Sequence, residues 1–199
     1  MDSRAWDERY AAEERVWSDG PNQFVEAALA ELPPGRAVDL AAGEGRNAIW
    51  LAGLGWEVTA VDFSRAGLDK GRARADDLPI EWVCQDVLEW DGTDYDLAVV
   101  AYLQLPADER RQVVRRAFGA LRPRGTLFLV AHDSTNLVEG TGGPQDPAVL
   151  MTAEDVLADL GDERFEVVRA ERVERRVEPE HRGEPGRTAY DCVVHLVRG

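Results

Sequence analysis

Hydrophobic and polar positions along the 199-residue chain change period repeatedly. Short apolar runs at 37–41 (AVDLA), 57–62 (EVTAVD), 80–85 (IEWVCQ), 96–101 (DLAVVA) and 126–131 (TLFLVA) read as strands. The run 96–101 is almost wholly apolar, as in the centre of a parallel sheet. Helical spacing appears between them. Residues 45–54 offer Ala48, Ile49, Leu51, Ala52 and Leu54 to a buried face. Ser64 is placed to cap a helix reaching about Ala75. In 105–125, Val113, Val114, Ala117, Phe118 and Leu121 follow a helical stripe that Pro123 and Gly125 are expected to stop. Residues 152–160 read as a short helix, with Thr152 as N-cap and Asp155 in the capping-box position. Finally, 165–177 and 188–197 alternate apolar with polar residues around EPEHRGEPGR, which predicts an antiparallel hairpin.

Five βα-type units followed by a hairpin predict an α/β fold. The expectation is a single Rossmann-like three-layer sandwich, with a seven-stranded, mostly parallel sheet that ends in an antiparallel β-hairpin. One domain over 1–199 is expected, with 36–199 as its core. Residues 1–35 lie outside the pattern as a helical lid or extension, with amphipathic stretches around 5–17 and 22–32 separated by SDGPN.

Composition narrows the function classes. Apolar content of 44% and charged content of 31% are those of a globular chain. No apolar run reaches the roughly 18 residues a bilayer span needs. The acidic N-terminus lacks an apolar signal core, so a cytoplasmic location is expected. The net charge of −15 repels phosphate backbones and anionic lipids, which makes nucleic acid and membrane surfaces poor partners. Cys84 and Cys192 lie in apolar runs and read as two buried, reduced thiols. Their spacing fits no metal site, and none is expected. No long exposed apolar stripe gives a reading of oligomeric state.

The chemistry concentrates in AVDLAAGEGRNAIWLA, residues 37–52. A strand runs into a turn with Gly43 and Gly45, and a helix follows. Glycines there let the backbone approach a ligand, and the N–H groups of the helix start face it. Asp62 ends the next strand, where a carboxylate can accept both hydroxyls of a ribose. Asp86 follows the third strand and can accept from an adenine amine. Together these features point to a nucleotide-type cofactor at the carboxyl ends of the strands. GEGRNA also fits the dinucleotide pattern, so an NAD(P)-dependent oxidoreductase is the alternative. Against it stand the absence of a Tyr-x-x-x-Lys pair, Asp39 just before the turn, and a closing hairpin that leaves no room for a separate substrate domain.

The segment AVDLAAGEGRNAIWLAGLGWEVTAVDFS resembles the first two motifs of class I S-adenosylmethionine-dependent methyltransferases. It is most similar to the small tellurite-resistance and thiopurine methyltransferase-like group, where a G-x-G-R-N run is typical. The resemblance extends through CQDV at 84–87, YDLAVVAYLQL at 95–105 and LRPRGTLFLV at 121–130, and more weakly to WDERY and VWSDGPN. It implies S-adenosylmethionine as cofactor. Asp39, Ala41, Gly43 and Gly45 would surround its methionyl end. Asp62 would bind the ribose, with Phe63 beside the adenine and Ser64 also at the cofactor, and Asp86 and Val87 would hold the adenine edge. Ala101, Tyr102 and Leu103 would flank the sulfonium and the acceptor. Arg46 and Asn47 start the helix, where Asn47 either caps locally or orients the turn. The family's first motif usually begins with Gly where this chain has Ala41, a methyl group that fits if φ there is negative.

The acceptor is expected to be a small molecule. A soft nucleophile such as a thiol or metalloid oxyanion needs little base catalysis, whereas a hydroxyl or amine more often needs a base. His132, with Asp133 beside it, is the candidate base, and Tyr102 a further acceptor-site residue. His181 and Arg182 are placed to attract an anionic acceptor, while His195 reads as structural. Trp6, Tyr10 and above all Trp17 are candidate lid residues. The loop 136–151 is a candidate wall of the acceptor site. A cofactor-binding module without catalysis is the remaining alternative.

Overall fold

The computed structural model describes residues 3–16, 18–177 and 186–199. Its strands are β1 (Arg36–Leu40), β2 (Glu57–Asp62), β3 (Ile80–Cys84), β4 (Tyr95–Ala101), β5 (Leu121–His132), β6 (Phe165–Val177) and β7 (Arg187–Arg198). They form one seven-stranded sheet in the order β3-β2-β1-β4-β5-β7-β6. The first five strands pair in parallel. β7 runs antiparallel to both β5 and β6, so the expected closing hairpin is present.

The helices are α1 (Ser3–Ala12), α2 (Gln23–Leu29), α3 (Arg46–Gly53), α4 (Arg65–Arg74), α5 (Ala107–Gly119), α6 (Asn136–Glu139) and α7 (Ala153–Leu160). Alternation along the strands supplies both helix layers, because successive side chains point to opposite faces. Ala37, Val58, Leu97, Val99, Phe128 and Val130 pack against Val25 and Leu29 of α2 and Ala48 and Leu51 of α3. Val38, Leu40, Val100, Leu127 and Leu129 pack against Val113, Ala117 and Phe118 of α5 and Val156 and Leu160 of α7. A buried ion pair, Arg110 Nε to Asp159 Oδ2 at 2.6 Å, joins α5 to α7.

The expected caps of α4 and α7 are present. Ser64 accepts from the Gly67 N–H at the start of α4. Thr152 and Asp155 close the capping box of α7. Two expectations are corrected. The α5 helix ends at Gly119, so Pro123 and Gly125 lie within β5 rather than terminating the helix. Pairing of Tyr95 with Leu121 draws that segment into the sheet. Cys84, on edge strand β3, is exposed, and only Cys192 is buried.

From β1 the chain moves outward through β2 and β3, then returns to β4 on the other side of β1. The crevice beyond the carboxyl ends of β1 and β4 is the topological switch point, where such sheets bind ligands. Among the described residues, no helix is long and apolar enough to cross a membrane.

Candidate active site

Both strands at the switch point end in a left-handed residue that is not glycine. Ala41 follows β1 with φ of 59°, and Tyr102 follows β4 with φ of 57°. The negative φ that would let a methyl group sit there without strain is therefore not adopted. The turn takes the conformation a glycine would take, at the steric cost of one Cβ. Gly43 and Gly45 continue it with φ of 57° and 69°. Gly45 has a second reason to lack a side chain: a Cβ there would stand 2.4 Å from the Trp82 ring of β3. The Gly-rich turn is thus clamped from behind by Trp82, which also sits on Gly71 of α4.

Asp39, near the end of β1, is 1% exposed, and its Oδ2 has no hydrogen-bond partner among the described residues. Burial drives its carboxyl up from 3.8 to about 7, against the opposing pull of the Ala48 N–H and Arg46. A buried carboxylate with one oxygen unpartnered is costly unless a donor meets it. It therefore marks where a positively charged ligand group would be held. Asp62 Oδ2 accepts from the Gly43 N–H at 2.8 Å and Oδ1 from the Ser64 N–H at 2.7 Å. Burial raises its proton affinity too. Each carboxylate oxygen retains a lone pair for a hydroxyl. Asp86 Oδ1 accepts from the Leu88 N–H at 2.9 Å, which folds the turn after β3.

Other sequence candidates take different roles. The Ser64 hydroxyl, fully buried, is committed to Gly67 and to Asp7 Oδ1 at 2.5 Å. Asn47 does not supply the cap of α3; its Oδ1 accepts the Asn22 N–H at 2.9 Å. Gly45 is the N-cap of α3, with no side-chain cap bond. Arg46, whose burial lowers its proton affinity, donates to Ser18 Oγ at 3.0 Å. Val87 is buried, so it can meet a ligand only through its backbone, while half-buried Leu103 packs on the core beside Val113 and Leu129. Phe63 and Ala101 are half-buried at the ends of β2 and β4. Trp17, His181 and Arg182 lie outside the described residues. His195 packs edge-on against Phe128, and burial lowers its proton affinity, in keeping with a structural role.

The N-terminal segment is fastened across the turn. Besides accepting from Ser64, Asp7 Oδ1 accepts the Ala66 N–H at 3.1 Å. The Val16 N–H donates to Glu44 Oε2 at 3.1 Å. Lys70 Nζ donates to the carbonyls of Glu13 and Glu14 and lies 3.6 Å from Glu44 Oε1. Tyr10 packs on Gly67, where a Cβ would approach its ring to 3.0 Å. In contrast, α2 is part of the helix layer that covers the sheet.

A polar cluster that sequence reasoning missed adjoins Tyr102. Asp191 of β7 is fully buried. Its Oδ2 accepts from Arg175 Nε at 2.6 Å and from the Tyr102 hydroxyl at 3.1 Å. Its Oδ1 lies 3.3 Å from His132 Nδ1. That approach is off the line of an aligned hydrogen bond, so the contact is chiefly electrostatic. Burial pushes the Asp191 carboxyl up, but His132 and Arg175 outweigh it and hold it below its usual range. Burial and Asp191 push the Tyr102 phenol up to about 12, so it remains a donor at neutral pH. Antiparallel register explains the meeting: His132 pairs directly with Asp191, and Arg175 follows the Asp191 partner Val173 by two residues on the same face. Asp133 does not orient His132, because its Oδ1 accepts from the Thr135 N–H and hydroxyl. The one sequence signal was an acidic residue interrupting the apolar run of β7.

With this geometry in view, comparison with known proteins places the sheet. Residues 37–125 match the family model of a methyltransferase domain. Among curated relatives, a putative methyltransferase, YqeM, of Bacillus subtilis (strain 168) is 33% identical over 125 residues, covering 59% of this chain and 49% of the relative. A tRNA 5-carboxymethoxyuridine methyltransferase of Escherichia coli (strain K12) is 31% identical over 133 residues, covering 62% and 49%. The chain therefore spans about half the length of the curated relatives it matches. Two solved structures share the fold at low identity. TehB from Haemophilus influenzae has a TM-score of 0.75 at 15% identity, covering 98% of this chain and 67% of that one. The N-methyltransferase NodS from Bradyrhizobium japonicum WM9, in complex with S-adenosylhomocysteine, has a TM-score of 0.75 at 18% identity, covering 100% and 99%. The fold is the Rossmann-like fold of methyltransferases.

Proposed function

We propose that this chain is an S-adenosylmethionine-dependent methyltransferase acting on a small-molecule acceptor. The observation that carries the reading is the buried, unpartnered Oδ2 of Asp39 beside the left-handed turn at Ala41, Gly43 and Gly45. That oxygen fits the ammonium of an amino-acid moiety, and the glycines admit the chain that bears it. The remaining lone pairs of Asp62 take the ribose hydroxyls. Asp86 and the Val87 backbone take the adenine edge, with Phe63 beside the ring. When bound, S-adenosylmethionine supplies a methyl group on a positively charged sulfur, a reaction that asks the protein mainly for positioning and a dry pocket. Tyr102 and the Leu103 backbone close the acceptor side, and the fastened N-terminal segment excludes water from the turn.

An NAD(P)-dependent oxidoreductase fits less well, because a dinucleotide carries no ammonium to meet Asp39. The net charge of −15 favours a small acceptor over nucleic acid, although one relative is named for tRNA. A thiol or metalloid oxyanion acceptor rests on the resemblance to the tellurite-resistance and thiopurine group. The TehB likeness supports the fold of that group and not its acceptor. We read 1–199 as one domain, with 36–199 as core.

The test is transfer of labelled methyl from S-adenosylmethionine to thiols, metalloid oxyanions, amines, phenols and bulk tRNA. Label on a small acceptor is the expected result. Label confined to tRNA overturns the acceptor class, and cofactor binding without transfer to anything overturns the enzyme.

A further inference from the structure

Cofactor binding at the Gly-rich turn gives the buried Asp191 carboxylate no task. Asp191, Arg175, Tyr102 and His132 meet on one face at the carboxyl end of β5. Arg175 and Tyr102 are committed as donors to Asp191: burial opposes the guanidinium charge but the Asp191 bond outweighs it, and burial with Asp191 pushes the Tyr102 phenol up to about 12. The remaining member, His132, carries a ring nitrogen that can accept a proton from a substrate. Its orientation is fixed. The Tyr102 ring lies 4.9 Å from it, centroid to centroid, and the Gly143 backbone is so close that a Cβ would stand 2.9 Å from the ring atoms. Gly143 is held in turn by buried Asn136, which donates to the Gly142 carbonyl at 2.9 Å and accepts the Tyr190 N–H at 2.8 Å. With Nδ1 turned to Asp191, Nε2 has no partner among the described residues, and the side chain keeps 14% of its surface exposed.

We propose that His132 Nε2 is the proton acceptor for the methyl acceptor, that Asp191 is a positioning residue that keeps the proton on Nδ1, and that the substrate class is accordingly a hydroxyl or an amine rather than a thiol or metalloid oxyanion. The proposal rests on the methyltransferase reading. The proton passes from the acceptor O–H or N–H to Nε2, and its bonding pair stays on the oxygen or nitrogen. The imidazolium so formed faces the Asp191 carboxylate, and the proton then leaves to water. A thiol, ionised without such help, leaves this machinery without a purpose.

The first test needs no substrate. Long-range proton–nitrogen correlation spectra of the nitrogen-15-labelled full chain at pH 8, with His132 assigned by its loss in His132→Gln, report the tautomer. The expected state is protonated Nδ1 with bare Nε2. A protonated Nε2 overturns the proposal, whether or not Asp191→Asn folds. The second test measures matched phenol and thiophenol acceptors. His132→Gln is expected to lower kcat for the phenol about 100-fold or more while changing the thiophenol less than about threefold. Asp191→Asn is expected to lower kcat for the phenol with KM nearly unchanged. Turnover of thiols alone, indifferent to His132→Gln, overturns the substrate class. Calorimetric binding of S-adenosylhomocysteine to both variants separates this outcome from failure of the methyltransferase reading, in which the unaltered chain would not bind it either.

Discussion

Replacing Asp39 with Asn tests whether the switch point holds a charge for a ligand at the protein's own expense. The carboxyl is 1% exposed, accepts from the Ala48 N–H and leaves Oδ2 unpartnered. Its displacement from 3.8 to about 7 corresponds to roughly 4 kcal/mol of cost for keeping it ionised in the cofactor-free fold. The sign follows from linkage. A carboxyl whose folded value is raised contributes most to stability below pH 3.8, and that contribution is lost as pH rises to about 7. The amide carries no charge, but its NH₂ meets no acceptor, which costs about 1–3 kcal/mol. Asp39→Asn is therefore expected to stabilise the cofactor-free chain by about 1–3 kcal/mol at pH 8.5, a rise in Tm of about 2–10 °C. The gain should shrink at pH 6, where the native carboxyl is already protonated. In the same variant, loss of a charged hydrogen bond worth about 1.5–3 kcal/mol should weaken S-adenosylmethionine roughly 10- to 150-fold. Thermal melts at the two pH values and titration calorimetry read both effects. A lower Tm at both pH values together with unchanged affinity would refute the reasoning.

Asp62→Ala should weaken cofactor binding by about 1.5–3 kcal/mol and also lower Tm, since the Gly43 and Ser64 N–H groups lose their acceptor; full affinity in calorimetry would remove the ribose assignment. Gly45→Ala places a Cβ against Trp82 at φ of 69° and should cost at least about 2 kcal/mol in denaturant melts, whereas Gly53→Ala, in α3 with open space around it, should be neutral or stabilise by up to about 1 kcal/mol. Equal effects at the two sites would contradict the clamped turn. Lys70 is the chain's sole lysine, so amine acylation followed by peptide mapping reports release of the N-terminal segment that covers it. Asp7→Ala should speed that acylation several-fold, and an unchanged rate would show that Asp7 does not fasten the segment.

How far the sequence could be read depended on how local the cause was. Period and caps are local, so Ser64, Thr152 and Asp155 were legible, as were the parallel strands and the hairpin. The pairing of Asp191 with His132 and Arg175 depends on antiparallel register across three strands, which no local pattern encodes. The bond from the Asn22 N–H to Asn47 was out of reach for the same reason, since Asn22 lies 25 residues earlier. At Ala41 local propensity argued for a negative φ, and the geometry of the turn after β1 prevailed over it. Cys84 looked buried because its run is apolar, yet β3 is a sheet edge and its alternation leaves that thiol outside.

The central claim is that the turn at 41–47 and its flanking carboxylates hold S-adenosylmethionine. Titration calorimetry of the full chain with S-adenosylmethionine, S-adenosylhomocysteine and NAD tests it most directly. The expected result is saturable binding of the first two, each weakened in Asp39→Asn and Asp62→Ala, with no binding of NAD. Binding of NAD in the absence of the other two would contradict the account.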